Sequence, residues 1–172
     1  MPHRPSAVID TTVLVSAAIA IDAGRSSAPR LLIEEALIRR ESFEHLTSAP
    51  ILYEVGDVLS RARIQFRPEN ITDYVALLAR ASSLVQSVQG IVMGCRDPRD
   101  DKVLECAMNG PAGWIVTRDL DLLEASPHEK YAITKTGPGI RDVPITVVSV
   151  EVFLADVLGF ERARTGSRRS RR

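Results

Sequence analysis

The stretch CRDPRDDKVLECAMNGPAGWIVTRDLDLL, Cys95 to Leu123, sets the frame for the rest of the chain. It crowds Asp97, Asp100, Asp101 and Glu105 around the start of a helix expected over Pro98–Met108. Asn109-Gly110-Pro111 stops that helix. Trp114 to Thr117 follows as a short apolar strand leading straight to Asp119 and Asp121. Carboxylates at a helix start are ordinary, because they cap free N–H groups and suit the helix dipole. Carboxylates just past a buried parallel strand are less ordinary, since open α/β sheets place ligands there. Together they point to a metal site whose remaining ligands must come from elsewhere.

Upstream, Ala7-Val8-Ile9 has the apolar, partly β-branched character of a buried central strand, and it stops on Asp10. Thr11, Thr12 and the apolar run from Val13 then turn the chain into a helix. Ile21 to Ala28 is small and polar, hence a loop. Pro29 opens a helix with its apolar stripe at Leu31, Leu32, Ala36 and Leu37, ending near Arg39-Arg40. A second strand is expected at His45–Thr47, with Ser48 as the N-cap of a helix from Pro50 to about Ile64. That helix carries Ile51, Leu52, Val55, Val58 and Leu59 on one side, and Glu54 with Asp57 on another. Pro68 to Ser83 is another amphipathic helix, and Leu84–Val88 a third strand. Leu120–Leu123 makes at most a short helix, and Ser126–Val143 shows no periodicity. Ile145–Val148 is the last strand, and Ser149 caps a final helix through Phe153, Leu154 and Leu158. Short apolar strands alternating with amphipathic helices predict an α/β fold. The expected form is a three-layer α/β/α sandwich around a central parallel sheet.

Composition bounds the function. The 172 residues suit a single domain, expected over 1–160, with 45% hydrophobic and 26% charged residues. The zero net charge hides a split. Residues 161–172 hold six Arg and one Glu, which leaves 16 basic against 21 acidic residues in the body. The basic tail is expected to be disordered, and the acidic body argues against a broad electrostatic nucleic-acid platform. Cys95 and Cys106 form no metal-binding or disulfide pattern. No signal peptide is visible, and no apolar run approaches the roughly 18 residues of a membrane span. A cytoplasmic protein with no membrane contact is expected.

Four acids recur at comparable places: Asp10 after the first strand, Asp119 after the fourth, Asp101 at a helix start, and Glu54 in a first turn. A parallel sheet would let them converge at its carboxyl edge. Clustered carboxylates repel one another and stay ionised together only around a cation. Oxygen ligands favour Mg²⁺ or Mn²⁺, ions that commonly act on phosphates.

The runs VIDTTVLVSA at Val8–Ala17, ILYEVGDVL around Glu54, DPRDDKVLECA at Asp97–Ala107 and WIVTRDLDLL at Trp114–Leu123 resemble the PIN-domain family of nucleases. Within it they are most similar to the VapC-like toxins. The resemblance spans roughly Ala7 to Leu158. It implies a metal-dependent ribonuclease, the toxin of a toxin–antitoxin pair, often a homodimer. It assigns catalysis to Asp10, Glu54, Asp101 and Asp119, and metal to Asp10, Asp101 and Asp119. Thr117 takes the place of the hydroxyl before the fourth acid. Thr12 stands where the family commonly has Asn; it can donate to Asp10 with less reach. Asp100 and Asp121 each lie one or two positions from a preferred acid and remain open as supporting groups, as does Glu105.

The remaining residues have plainer readings. His3, His45 and His128 share no spacing and are expected at the surface. Cys95, Cys106 and Trp114 are expected to pack. Arg61, Arg63 and Arg118 are candidate substrate contacts. Two rivals stand beside the nuclease: a catalytically degenerate PIN-like module that only binds RNA or protein, and a phosphorelay receiver. The receiver needs an Asp ending its third strand and a Lys ending its fifth. Gln89 and Ser149 occupy those places.

Overall fold

The computed structural model describes residues 4–36, 42–61, 64, 66–86, 101–124 and 145–160. Its centre is β1 (Ser6–Ile9), four residues buried on both faces, which requires helices above and below. β1 pairs in parallel with β2 (Glu44–Thr47) on one side and β4 (Trp114–Thr117) on the other. β3 (Ser83–Leu84) and β5 (Thr146–Ser149) flank these, giving an all-parallel sheet of order β3-β2-β1-β4-β5. The helices are α1 (Thr11–Asp22), α2 (Ala28–Glu34), α3 (Ala49–Ser60), α4 (Pro68–Ala81), α5 (Asp101–Asn109), α6 (Leu120–Glu124) and α7 (Val150–Val152). The fold is the expected three-layer α/β/α sandwich. The chain moves outward from β1 through β2 to β3, then jumps back past β1 to β4 and β5. That reversal puts the topological switch point between the carboxyl ends of β1 and β4, where such sheets open a ligand crevice.

α1 is apolar nearly all round and buries Val13, Leu14, Val15, Ala17, Ala18 and Ala20, as a helix covered on several sides must. It runs through Ile21 to Asp22, longer than expected, because Gly24 at φ +63 supplies the left-handed turn that ends it. α4 is amphipathic and buries Tyr74 and Leu78. The Tyr74 hydroxyl donates to the Leu14 carbonyl at 2.8 Å, tying α4 to α1. On the far side, the Phe153 ring meets Phe43 at 5.3 Å and Trp114 at 6.0 Å, both edge to face. Gly110 is needed for close approach. A Cβ there would lie 2.8 Å from Val85 Cγ2 and 3.1 Å from the Cys106 carbonyl.

Several expectations are corrected. In α2 the buried side chains are Pro29, Leu32 and Ile33, whereas Leu31 lies exposed on the outer side of the helix. β3 begins at Ser83, since Ser82 is held by the Leu78 carbonyl and the chain enters the ladder at once. α3 ends at Ser60. α7 continues into a π turn at Phe153–Val157. Ser48 occupies the N-cap position of α3 but makes no capping bond, while Ser149 does cap, accepting from the Val152 amide. His45 is buried, 3% exposed, on β2. Residues 1–3, 37–41, 62, 63, 65, 87–100, 125–144 and 161–172 lie outside the described residues. With them go the readings of Asp97, Asp100, Cys95, His3 and His128, and of the basic tail.

Candidate active site at the switch point

Parallel pairing fixes a row of polar residues along one edge. Asp10 follows β1, Ser48 follows β2, Thr117 ends β4, and Ser149 pairs with Thr117 at the end of β5. The Asp10 amide donates to the Val116 carbonyl at 2.9 Å, which sets Asp10 and Thr117 side by side. Asp10 is 4% exposed. It sits at the N-cap position of α1, yet its side chain makes no capping hydrogen bond. Its Oδ2 instead accepts from the Thr12 hydroxyl at 2.5 Å and the Thr117 hydroxyl at 2.8 Å. Burial pushes the Asp10 carboxyl above its usual range. The hydroxyls of Thr12 and Thr117 pull the other way. Among the described residues no cation pairs with Asp10.

Thr117 is the hinge of the arrangement. It gives its proton to Asp10 and accepts from the Asp119 amide at 2.9 Å. Asp119, half-buried, turns its Oδ1 to the Asp121 amide at 2.8 Å and so caps α6. Asp121 is exposed and contributes that backbone amide.

Glu54 lies on the other flank, half-buried on α3. Its Oε2 accepts from the Thr11 hydroxyl, and its Oε1 takes the Lys102 ammonium at 2.7 Å. Thr11 adjoins Asp10, and Lys102 adjoins Asp101 at the start of α5. The Asp101 side chain lies outside the described residues. Polar contacts thus run from Lys102 through Glu54 to Thr11, and from Asp10 through Thr117 to Asp119. The elements that carry all four predicted acids meet here. Among the described residues, no three His, Cys, Asp or Glu side chains come together closely enough to hold an ion.

Arg61 pairs with Asp57 at 3.0 Å, and Arg118 approaches Glu151 at 3.5 Å, both exposed. Two buried hydroxyls at the end of β2, Thr47 Oγ1 and Ser48 Oγ, have no partner among the described residues. An open hollow of about 520 Å³ lies beside the carboxylates, lined by Ala49, Pro50, Tyr53, Glu54, Asp57 and Lys102. Lys102 and Tyr53 escaped the sequence reading. For Lys102 a signal existed, as it is the only basic residue of α5 in an acidic stretch; Tyr53 had none beyond its place before Glu54.

Thr117→Val keeps the shape and removes both bonds of that hydroxyl. Any activity that depends on Asp10 is expected to fall about 10- to 100-fold, as for groups that orient a ligand-bearing side chain. Initial rates with the folded variant check this; wild-type rates would show that Asp10 needs no such aim.

A family model for the PIN domain matches residues 6–121. The match takes in Asp10, Glu54, Asp101 and Asp119, and stops before β5. No curated protein matches the chain. Among the described residues no helix is long and apolar enough to cross a membrane.

Proposed function

This chain belongs to the PIN-domain family, a family of nucleases, and from that premise we propose that it hydrolyses RNA with the help of Mg²⁺ or Mn²⁺. In this reading it is the cytoplasmic toxin of a toxin–antitoxin pair and works as a homodimer, as its resemblance to the VapC-like branch implies. The observation that carries the reading is Asp10. A carboxylate 4% exposed at the switch point, aimed by two hydroxyls and with no cationic side chain beside it among the described residues, is matched to a bound positive charge. The donor chemistry fits a hard dication, with oxygen ligands from Asp10, Asp119 and Asp101.

Bound there, such an ion would supply Lewis-acid stabilisation of the phosphodiester and a more acidic water. The chain's own residues do the positioning. Thr12 and Thr117 hold Asp10 Oδ2, and Thr117 also fixes the backbone at Asp119. Lys102 holds Glu54 against Thr11.

One observation favours a second reading, a module that binds RNA without cutting it: Glu54 is already neutralised by Lys102. A digest of single-stranded RNA decides. Cleavage is expected with Mg²⁺ or Mn²⁺, to stop with EDTA, and to return when the ion is added back. RNA binding with no cleavage under any of these conditions selects the binding module. Cleavage undiminished by EDTA removes the metal from the reading.

A further inference from the structure

The hollow beside Glu54 has a composition that the carboxylates do not explain. Ala49, Pro50, Tyr53, Glu54 and Asp57 lie three or four residues apart along α3 and so share one stripe of the helix. Lys102 of α5 closes the far side. Tyr53 is 79% exposed, the most exposed large apolar side chain among the described residues. An aromatic ring held on a rigid helix next to an apolar floor matches the planar ring of a nucleobase, and the Lys102 ammonium beside it is paired with Glu54 at 2.7 Å. Single-stranded RNA is held by bases stacked on aromatic side chains.

We propose that Tyr53 is a positioning residue that stacks a nucleobase next to the scissile phosphate, making the α3–α5 hollow a base subsite. The proposal rests on the ribonuclease reading above. The subsite is continuous with the reaction centre because Glu54 lines the hollow and also bonds Thr11, the neighbour of Asp10. A ring face recognises any base, so the subsite accepts single strands without strict sequence preference and excludes a base kept in a duplex.

The test uses the full chain and a labelled single-stranded RNA of mixed sequence in Mn²⁺, with the cut mapped first. Tyr53→Ala is expected to raise KM about 10-fold, the size of one base–aromatic stack, with kcat nearly unchanged. Tyr53→Phe keeps the ring and is expected to behave as wild type. RNA with an abasic residue at the position flanking the cut separates stacking from any other role. Wild type should drop to the Tyr53→Ala level on that RNA, and Tyr53→Ala should lose nothing further. Equal losses for Tyr53→Ala on intact and abasic RNA overturn the subsite, as would be found if the ring served a protein partner or the helix itself. Wild-type cleavage with an unchanged KM in Tyr53→Ala overturns the subsite alone. Failure of the wild-type protein to cut or bind any RNA overturns both readings.

Discussion

Asp10→Asn is expected to lower RNA cleavage by about 10²–10³-fold, the scale felt when one charge-stabilising group is lost from a reaction centre. The melting temperature of the same variant should stay level or rise. The reason is the cost already present in the wild type. Asp10 is buried, its carboxyl is pushed above the ordinary range by lost hydration, and no cation among the described residues offsets it. An Asn amide carbonyl can accept the same hydroxyl protons from Thr12 and Thr117, without a charge to desolvate. What disappears is the charge itself, and with it the attraction for a dication. Activity and stability therefore move in opposite directions, as they do where a site is strained for function. Initial rates at saturating Mg²⁺, with a thermal melt of the same sample, check both halves. A variant that cuts at the wild-type rate would falsify the assignment of Asp10.

The second large effect is on stability and concerns His45. Its ring is buried, and Ser82 Oγ lies 2.7 Å from Nδ1. Ser82 gives its only proton to the Leu78 carbonyl at 2.6 Å, so His45 donates from Nδ1 and Nε2 is left as a bare lone pair. Nε2 has no partner among the described residues, and a proton there would be a buried charge without a counter-ion. Burial accordingly lowers the ring's pKa from 6.5 to about 4. The unfolded chain then binds a proton first as pH falls. Stability that is complete above about pH 6.5 drains away down to about pH 4, by roughly 3 kcal/mol in all and about 2 kcal/mol by pH 5. Urea midpoints at pH 7 and pH 5 for wild type and His45→Gln isolate this group. The wild type should lose about 2 kcal/mol more than the variant between the two pH values. Parallel losses would show that His45 does not titrate on unfolding.

Much of this architecture could be read before any coordinates, for a physical reason. β4 was legible to the residue, and β1 nearly so, because short apolar runs bounded by Asp or by Gly-Pro have few other uses. Their order around the sheet, and with it the placing of Asp10 beside Thr117, follows from parallel crossovers. β2 was harder. Glu44-His45-Leu46-Thr47 is half polar, and nothing in a polar residue says whether it meets water or a neighbour such as Ser82. Ser48 has the composition of a cap without performing the role. Lys102 is hidden in the sequence because its partner, Glu54, lies on another helix 48 residues earlier. Composition marks which residues can bear charge; only packing decides what answers it.

The bond from Thr117 to Asp10 spans 107 residues of sequence, and β1 finds its β4 partner over the same distance. Contacts of that range are late to form, because the loop between them must close first. During synthesis Asp10 leaves the ribosome well before β4, with β2 and α3 between them. Of the two hydroxyls that aim it, Thr12 is there at once, but Thr117 arrives only when β4 has left the exit tunnel. A nascent chain therefore carries this carboxylate long before its second, long-range hydroxyl can fix it.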